Sequence, residues 1–509
     1  MAYYLGIDSS TQGVKAVVID PDAGELVTSV SVNYSDDLAQ YNCVDGVLPD
    51  PDPLVKHADP LMWLAALDLL LARLRATGVD MQRIAAIGGD GQQHGSVYLN
   101  GRFNAKLGKL DPKLSLAEQI KPALARATSP IWMDSSTSEE CRELNGRFGM
   151  RMQADTGSPA VERFTGPQIR RFVKNCPEEY ARTERIHLVS SFLCSVLIGQ
   201  DAPLDSGDGA GMNLLNLRSM EWDAEIAEFT APDLTAKLPA VAGGVGGGLS
   251  SYFAKYGLRA GIPVAVWTGD NPASLVGAGA WSAGAAVVSL GTSDTFFAAM
   301  DEFRTDPEGC GHVFGNPAGG FMSLACFKNG SLARDRVRQE SGVSWDFFDK
   351  GAFESTQPGN GGRLALPWYV PEITPPALRP GVRASFDFAS AEPAVRVRAA
   401  VEGQILALRR HTMWIGDFKV IRVTGGASGS PGIRQTLADV FQAKVESVAV
   451  KDSAALGGAM LAACCAGVSL EAMTERFVPV TAVCEPRPGN SAVYEKLLSV
   501  VRELESREP

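Results

Sequence analysis

Short apolar runs alternate with small polar turns at the start of the chain. Tyr4–Asp8 and Val14–Asp20 are rich in β-branched, aromatic and aliphatic residues, and Ser9–Gly13 between them consists mainly of hydroxyl residues and glycine. This pattern predicts two strands joined by a tight hairpin turn. Ala286–Leu290 and Thr295–Ala299 repeat the pattern around a second turn of the same kind. Because no short sequence period links the two copies, the repetition indicates two domains of similar plan rather than a solenoid.

The segment after the first hairpin changes to an apolar period of about 3.6 residues, which predicts a helix over Leu61–Leu74. Gly78 ends that helix before a predicted buried strand at Ile84–Ile87. The next residues, Gly88–Gly95, are polar and rich in glycine. We interpret them as a flexible loop after a buried strand, which is where α/β folds hold ligands.

Two predicted strands in the second half of the chain are also followed by polar or glycine-rich turns. Val264–Thr268 predicts a strand that leads through a polar turn into a helix at Ala273–Gly279, so that Asp270 lies between a strand end and a helix start. Val420–Thr424 predicts another strand, followed by a glycine-rich loop and by Ser430, which has the N-cap signature of a helix.

Two other segments have a distinctive composition. Tyr41–Pro53 is crowded with Asp, Pro and Gly, and it predicts a surface loop or lid. Ser453–Ala466 is a predicted helix packed with alanine and glycine, as expected where another backbone must come close.

Length, charge and cysteine content limit the number of domains and the kinds of partner that the protein can have. The 509 residues exceed the roughly 250–300 that one hydrophobic core accommodates, which supports at least two domains. With 47 basic and 58 acidic residues the formal charge is -11, so no diffuse basic surface is expected for nucleic acid or anionic lipid. The nine cysteines are scattered without metal-binding spacing and indicate reduced thiols in a cytoplasmic protein. No apolar run is long enough for a bilayer-spanning helix, so no membrane partner is expected.

The two hairpin turns are candidates for phosphate binding. The two commonest phosphate motifs, the P-loop and the Rossmann fingerprint, are absent from the sequence. Turns of glycine, serine and threonine let backbone N–H groups and hydroxyls approach phosphate oxygens. Each turn alone is more typical of a plain hairpin, and the occurrence of two such turns at domain starts favours phosphate binding. Asp8, at the end of the first strand, adds a carboxylate that suits Mg²⁺ bound to nucleotide phosphates.

Two further positions suit proton transfer and hydroxyl recognition. Asp270 is a candidate general base for a substrate hydroxyl, and the alternative is an ordinary Asp-Asn-Pro turn. His94 and the glutamines before it, including Gln93, suit directional hydrogen bonds to polyol hydroxyls, and the alternative is a loop histidine without a role.

Several motifs in fixed order resemble those of a known family, the FGGY carbohydrate kinases. They are Leu5–Gly13, Gly269–Asn271, Ser289–Ser293 and Gly425–Ala427, and the likeness covers nearly the whole chain. The resemblance implies an α/β, duplicated actin-like (ribonuclease H-like) fold. It implies two domains, a sugar-binding domain over residues 1–271 and a nucleotide-binding domain over residues 272–509. It also implies a deep interdomain cleft that closes around both substrates.

Within the family the chain is most similar to the animal-type branch that acts on D-xylulose. The segments that carry this similarity are Gly91–Ser96, Trp132–Thr137, Glu162–Gly166, Ser206–Asn213 and Cys326–Leu332. The similarity implies transfer of the γ-phosphoryl group of Mg²⁺-ATP to the C5 hydroxyl of D-xylulose. The residues leave open another pentulose or polyol as substrate, a sugar or nucleotide sensor without turnover, and a homodimer.

The resemblance also implies roles for particular residues. Asp270 would be the catalytic base, and Asp8 would hold the metal ion. The sugar site would consist of His94, Gln93, Arg163, Asp270 and Asn271. The nucleotide site would consist of Ser10, Thr11, Gln12, Gly13, Gly291, Thr292, Ser293, Trp345, Gly425, Gly426 and Ser430. For Ser430 the alternatives are a nucleotide contact and a helix N-cap alone.

Overall fold

The computed structural model describes residues 2–507, which divide into two compact units. Unit 1 contains the chain up to Gly279 together with Phe314–Phe321 and Lys451–Val478. The remaining segments form unit 2: Ala280–Val313, Met322–Val450 and the chain from Pro479 onward. The sequence-based division between residues 271 and 272 falls near the end of the first segment of unit 1, whereas two later segments return to that unit.

Unit 1 is built around a seven-stranded mixed sheet. Its strand Tyr3–Ser9 pairs antiparallel with Gly13–Asp20 and parallel with Ile84–Gly91. The predicted hairpin is therefore confirmed. The strand order is Val245–Gly248, Pro263–Ala265, Ile84–Gly91, Tyr3–Ser9, Gly13–Asp20 and Glu25–Asn33, and Thr268–Gly269 pairs with Ile84–Gly91 beside this path.

The glycines at the centre of this sheet permit close backbone packing. The strand Ile84–Gly91 continues through Gly88, so the interpretation of Gly88–Gly91 as part of a loop was wrong. A Cβ on Gly88 would overlap the Gly458 carbonyl oxygen of the helix Ser453–Cys465. Glycine here lets a helix backbone lie directly on the sheet, and it does not make the chain flexible. The close approach expected for the alanine- and glycine-rich helix is thereby confirmed.

Unit 2 contains a second seven-stranded mixed sheet with the same central plan. Ala285–Leu290 pairs antiparallel with Asp294–Met300 and parallel with Val420–Thr424, as Tyr3–Ser9 does with its two neighbours. The next two strands pair parallel and then antiparallel, as at the corresponding edge of unit 1. The strand order is His312–Gly315, Phe321–Phe327, Asp294–Met300, Ala285–Leu290, Val420–Thr424, Lys444–Val448 and Val480–Cys484. The two hairpins predicted two domains of similar plan, and the two sheets confirm this duplication.

The helix predicted at Leu61–Leu74 is confirmed as Pro60–Ala76. Asp59 caps it by accepting a hydrogen bond from the Leu61 N–H at 2.8 Å, and Pro60 opens its first turn. Its buried face places Trp63 in one core cluster with Leu5 and Trp267.

The remaining helices and short strands complete the two units. The other helices of unit 1 are Tyr34–Asp37, Phe103–Leu107, Leu116–Ile120, Ser138–Phe148, Met150–Thr156, Thr165–Asn175, Pro177–Arg182, Val189–Ile198, Ser206–Gly209, Ala224–Thr230, Leu234–Lys237, Asp270–Gly277, Ser453–Cys465 and Leu470–Phe477. Those of unit 2 are Ser331–Glu340, Ala352–Glu354, Pro393–Thr412, Pro431–Phe441 and Ser491–Ser506. The short strand pairs are His57–Ala58 with Ser129–Pro130, Ser96–Leu99 with Arg185–Leu188, Leu215–Asn216 with Glu221–Trp222, and Ala365–Trp368 with Gly381–Ala384. Across residues 2–507, none of the helices combines the length and the apolar character needed to cross a membrane.

Candidate active site

The first hairpin turn of unit 1 joins hydroxyl groups to the Asp8 carboxylate. Ser10 donates its hydroxyl hydrogen to Asp8 Oδ1 at 2.6 Å. Thr11 accepts a hydrogen bond at 2.7 Å from the indole N–H of Trp132. The lining of a cavity of about 240 Å³ includes Asp8, Ser10, Gln12 and Gly13. Burial raises the pKa of Asp8, whereas the hydrogen bond from Ser10 lowers it.

Asp270 lies in the first turn of the helix Asp270–Gly277, directly after the strand Thr268–Gly269. The predicted helix start at Ala273 was therefore too late. Desolvation raises the pKa of Asp270 to about 7, and the negative charge of Asp8 adds to the shift. The carboxylate accepts backbone N–H bonds from Asn271 and Gln93, which lower its pKa. A carboxylate with a pKa near neutrality has the property that general-base catalysis requires.

Asn271 and Gln93 form a hydrogen-bonded support beside Asp270. The Asn271 side-chain amide donates to Asp270 Oδ1 at 3.0 Å and to Gln93 Oε1 at 2.8 Å. Gln93 in turn donates its Nε2 hydrogen to the Gly207 carbonyl oxygen at 3.3 Å. Gln93 uses both ends of its amide within the protein, so it holds Asn271 in place.

His94 is a buried histidine with a fixed tautomer. Its Nδ1 lies 3.0 Å from the Gly211 carbonyl oxygen. Because a carbonyl oxygen only accepts, Nδ1 donates, and Nε2 is left as the hydrogen-bond acceptor. Burial, and after it the charge of Arg163, lowers the pKa of His94 to about 3, so the ring is neutral at physiological pH. Phe164 stacks on the ring with centroids 4.4 Å apart.

Asp90 is a buried carboxylate that the sequence analysis did not select. It is the in-register partner of Asp8 on one side and of Thr268 on the other. The residue is 0% exposed, and neither carboxylate oxygen accepts a hydrogen bond from a neutral or cationic donor among the described residues. Burial raises its pKa well above the usual value, and the charge of Asp8 and a hydrogen-bond interaction with the Asp8 carboxyl group raise it further. The available signal was a single carboxylate in an otherwise uncharged run, Gly88–Gly95, after a buried strand.

The second hairpin turn lies in unit 2, and two glycines from other segments pack closely against its backbone. A Cβ on Gly330 would lie 2.8 Å from the Thr292 carbonyl oxygen and 2.8 Å from the carbonyl carbon of Ser293. Gly425 has φ 90°, and a Cβ there would lie 2.7 Å from the Leu290 carbonyl oxygen. The turn formed by Gly291, Thr292 and Ser293 is therefore tightly packed by its neighbours.

Beside this turn, unit 2 has a largely apolar cavity of about 390 Å³. Three residues predicted for the nucleotide site, Trp345, Gly426 and Ser430, line it together with Ser331 and Phe348. The second turn is outside the lining, but its Gly291 carbonyl oxygen accepts the Ser331 N–H at 2.9 Å.

Two of the side chains that line this cavity differ in exposure and in hydrogen bonding. Trp345 is 47% exposed and meets the Phe348 ring edge-on at 5.5 Å. Ser430 accepts the Ile433 N–H at 3.4 Å and caps the helix Pro431–Phe441, so the N-cap interpretation is confirmed. Its nucleotide contact stays a prediction.

Curated proteins of several organisms are similar to this chain along nearly its whole length. The xylulose kinase of Rattus norvegicus is 40% identical over 99% of this chain and 96% of its own length. Xylulose kinase 2 of Arabidopsis thaliana is 40% identical over 90% of this chain and 86% of its own length.

Solved structures share the fold at lower sequence identity. The xylulose kinase from Rhodospirillum rubrum superposes with a TM-score of 0.83 at 20% identity, covering 99% of this chain and 98% of its own. Plasmodium falciparum glycerol kinase with ADP gives a TM-score of 0.80 at 17% identity, covering 100% of this chain and 99% of its own. These likenesses confirm the α/β, duplicated two-domain fold class.

Family models match both halves of the chain. The N-terminal domain of the FGGY family of carbohydrate kinases matches residues 116–277. The C-terminal domain of the same family matches residues 286–466. Together with the relatives of 40% identity, these matches show that the chain belongs to the FGGY family of carbohydrate kinases.

Proposed function

We propose that this kinase transfers the γ-phosphoryl group of ATP to the C5 hydroxyl of D-xylulose, giving D-xylulose 5-phosphate and ADP. The observation that carries the proposal is Asp270, a carboxylate with a pKa of about 7 that is hydrogen-bonded to Asn271. The choice of sugar is supported by the names of the curated relatives that cover nearly the whole chain. Equal amounts of ADP and pentulose 5-phosphate from D-xylulose and Mg²⁺-ATP would support it, and ADP release at the same rate without sugar would contradict it.

Asp270 would act late in the reaction. Proton transfer from a free alcohol to a carboxylate is strongly unfavourable, so the proton should move only as the bond between oxygen and phosphorus forms. The hydrogen bond from Asn271 to Oδ1 would fix the direction in which the second oxygen meets the hydroxyl. Positioning then accounts for much of the rate enhancement.

The sugar would be recognised by groups of opposite hydrogen-bonding character. His94 Nε2 accepts, because Nδ1 donates to Gly211. Arg163 supplies a cation close enough to lower the pKa of His94, and its guanidinium can only donate. An acceptor held in one orientation discriminates among hydroxyl arrangements better than a freely rotating group does.

The nucleotide would use unit 2 for its base, and each turn has the composition of a phosphate-binding turn. The apolar cavity with Trp345 at its rim suits a flat aromatic base. The serine, threonine and glycine residues of the two turns, Ser10–Gly13 and Gly291–Ser293, suit phosphate oxygens.

A magnesium ion fits the residues around the first turn. Asp8 offers a carboxylate at a cavity rim, and hard divalent cations prefer oxygen ligands. Asp90, on the adjacent strand, adds a second, fully buried carboxyl group in register with Asp8. When bound, Mg²⁺ would neutralise charge on the transferred phosphoryl group.

The cysteines support the proposed cytoplasmic location. All nine lie within the described residues, and each is a free thiol. Free thiols persist in reducing compartments.

Replacing His94 with alanine should weaken D-xylulose binding and leave ADP binding nearly unchanged. The change removes the Nε2 acceptor and opens a space beside Phe164. Titration calorimetry with each ligand separately measures both affinities, and a loss of about tenfold or more is expected for the sugar because a buried hydrogen bond contributes about 1.4 kcal/mol.

Trp345→Ala is the matched control in unit 2. It should weaken ADP binding while the affinity for D-xylulose is retained, since Trp345 lines the other cavity. Intact sugar affinity in His94→Ala, with altered ADP affinity instead, would mean that the sugar site is placed wrongly.

A further inference from the structure

Asp90 lies at the centre of the unit 1 sheet. Burial raises the pKa of its carboxyl group, and the interaction with the carboxyl group of Asp8 raises it further. It is in register with Asp8 on the parallel strand Tyr3–Ser9 and with Thr268 on the other side. In-register residues of parallel strands direct their side chains to the same face of the sheet. Asp90 therefore faces the same region as Asp8. It is fully buried, and neither of its oxygens accepts a hydrogen bond from a neutral or cationic donor among the described residues.

The charges around Asp90 are negative. Asp8, Asp270 and Asp208 are the three charged groups that raise its pKa, after burial itself. Asp208 is also fully buried, and one of its oxygens accepts the Ser190 hydroxyl while the other is unpartnered. A group of buried carboxylates without enough donors is unfavourable unless protons or a cation neutralise it.

We propose that Asp90, together with Asp8, is a ligand for the divalent cation of this kinase. The inference rests on the proposed function, because that function supplies the reason for a cation at Asp8. Carboxylate oxygens are the ligands that Mg²⁺ and Mn²⁺ prefer, and two in-register strands present two of them side by side. The alternative is that Asp90 is only a protonated neighbour of Asp8.

Mn²⁺ binding to the full-length protein with ADP and without sugar tests the inference. The electron paramagnetic resonance signal of free Mn²⁺, compared with that of the same ADP and Mn²⁺ mixture without protein, gives the dissociation constant. Asp90→Asn keeps the shape of the side chain and removes its charge, and it should raise the Kd for Mn²⁺ by about tenfold or more, since removing even an outer-shell partner of a metal costs 10–100-fold.

Asp208→Asn is the matched control. Asp208 is as buried as Asp90, but the charges that raise its pKa are those of Asp205 and Asp270, and Asp8 is not among them. The Asp208→Asn substitution removes one carboxylate from the same buried cluster and leaves Asp90 beside Asp8. Its effect on Mn²⁺ affinity should be much smaller than that of Asp90→Asn.

Thermal stability supplies a second readout. In EDTA, Asp90→Asn should be at least as stable as the unmodified protein, because one of two buried carboxyl groups that lie side by side is replaced by a neutral amide. Mn²⁺ with ADP should raise the melting temperature of the unmodified protein more than that of the variant. If Asp90→Asn fails to fold, Asp90→Ser makes the same test with a smaller neutral side chain.

Equal Mn²⁺ affinity in Asp90→Asn and the unmodified protein would overturn the inference and favour the protonated alternative. The measurement needs no sugar, so its outcome is separate from that of the proposed function. A protein that binds Mn²⁺ through Asp90 but phosphorylates no sugar would retain this inference and lose the proposed function.

Discussion

Replacing Asp270 with asparagine should lower kcat by about 10²–10⁴-fold, the usual contribution of a positioned general base. Asparagine keeps the size of the side chain and one acceptor oxygen, but it cannot take the proton. The pKa of about 7 results from desolvation and from the charge of Asp8, and the variant has no group at this position that titrates. D-xylulose affinity should stay close to normal by calorimetry, since the loss concerns the transition state. Steady-state ADP release measures kcat.

Asp68→Asn is the control for the loss of a carboxylate elsewhere in unit 1. Asp68 accepts hydrogen bonds from the hydroxyls of Tyr252 and Tyr256 and has no predicted role in either substrate site. Its turnover should match that of the unmodified protein. If Asp270→Asn also turned over within about tenfold of the unmodified protein, Asp270 would not be the base.

Gly6→Val should destabilise unit 1 by about 3 kcal/mol or more, at the upper end for overpacked cores. A Cβ on Gly6 would overlap the Ala455 carbonyl oxygen and lie 2.5 Å from the Ala459 amide nitrogen. Both are backbone atoms of the helix Ser453–Cys465, so a rotamer change cannot relieve the contact. The helix and the strand Tyr3–Ser9 would have to separate. Urea denaturation measures the change in the free energy of unfolding.

Gly146→Val makes the same substitution where there is room. Gly146 lies within the helix Ser138–Phe148, and a Cβ there meets nothing within 4 Å. Its free energy of unfolding should change by less than about 1 kcal/mol, because valine is at least as good a helix former as glycine. A loss for Gly6→Val no greater than that for Gly146→Val would contradict the close packing of helix on sheet.

Much of the fold could be predicted from local pattern. Both hairpins follow from short apolar strands around turns of small residues, and the helix Pro60–Ala76 follows from its apolar period. The strand end at Gly88–Gly91 could not be predicted, since glycine usually marks a flexible segment. Its reason lies in Gly458, far along the chain, and local composition does not contain that contact.

The sequence predicted most of the residues of the candidate site, but it did not predict their tautomers or their hydrogen-bond partners. His94 was selected by its setting, whereas its fixed tautomer depends on the Gly211 carbonyl and on burial. Gln93 was expected to contact the sugar. Its side-chain amide instead accepts a hydrogen bond from Asn271 and donates one to the Gly207 carbonyl oxygen. Asp90 was missed because a carboxylate in a presumed loop is ordinarily solvated. Only strand register places it beside Asp8.

Comparative kcat/KM values test the central claim most directly. ADP release with Mg²⁺-ATP would be measured for D-xylulose, D-ribulose, L-ribulose, L-xylulose, xylitol and glycerol, with Asp270→Asn as the blank. We predict the highest kcat/KM for D-xylulose and a blank near background for all six. A higher kcat/KM for any other sugar or polyol, or binding of ATP and sugar without turnover on any of them, would contradict the account.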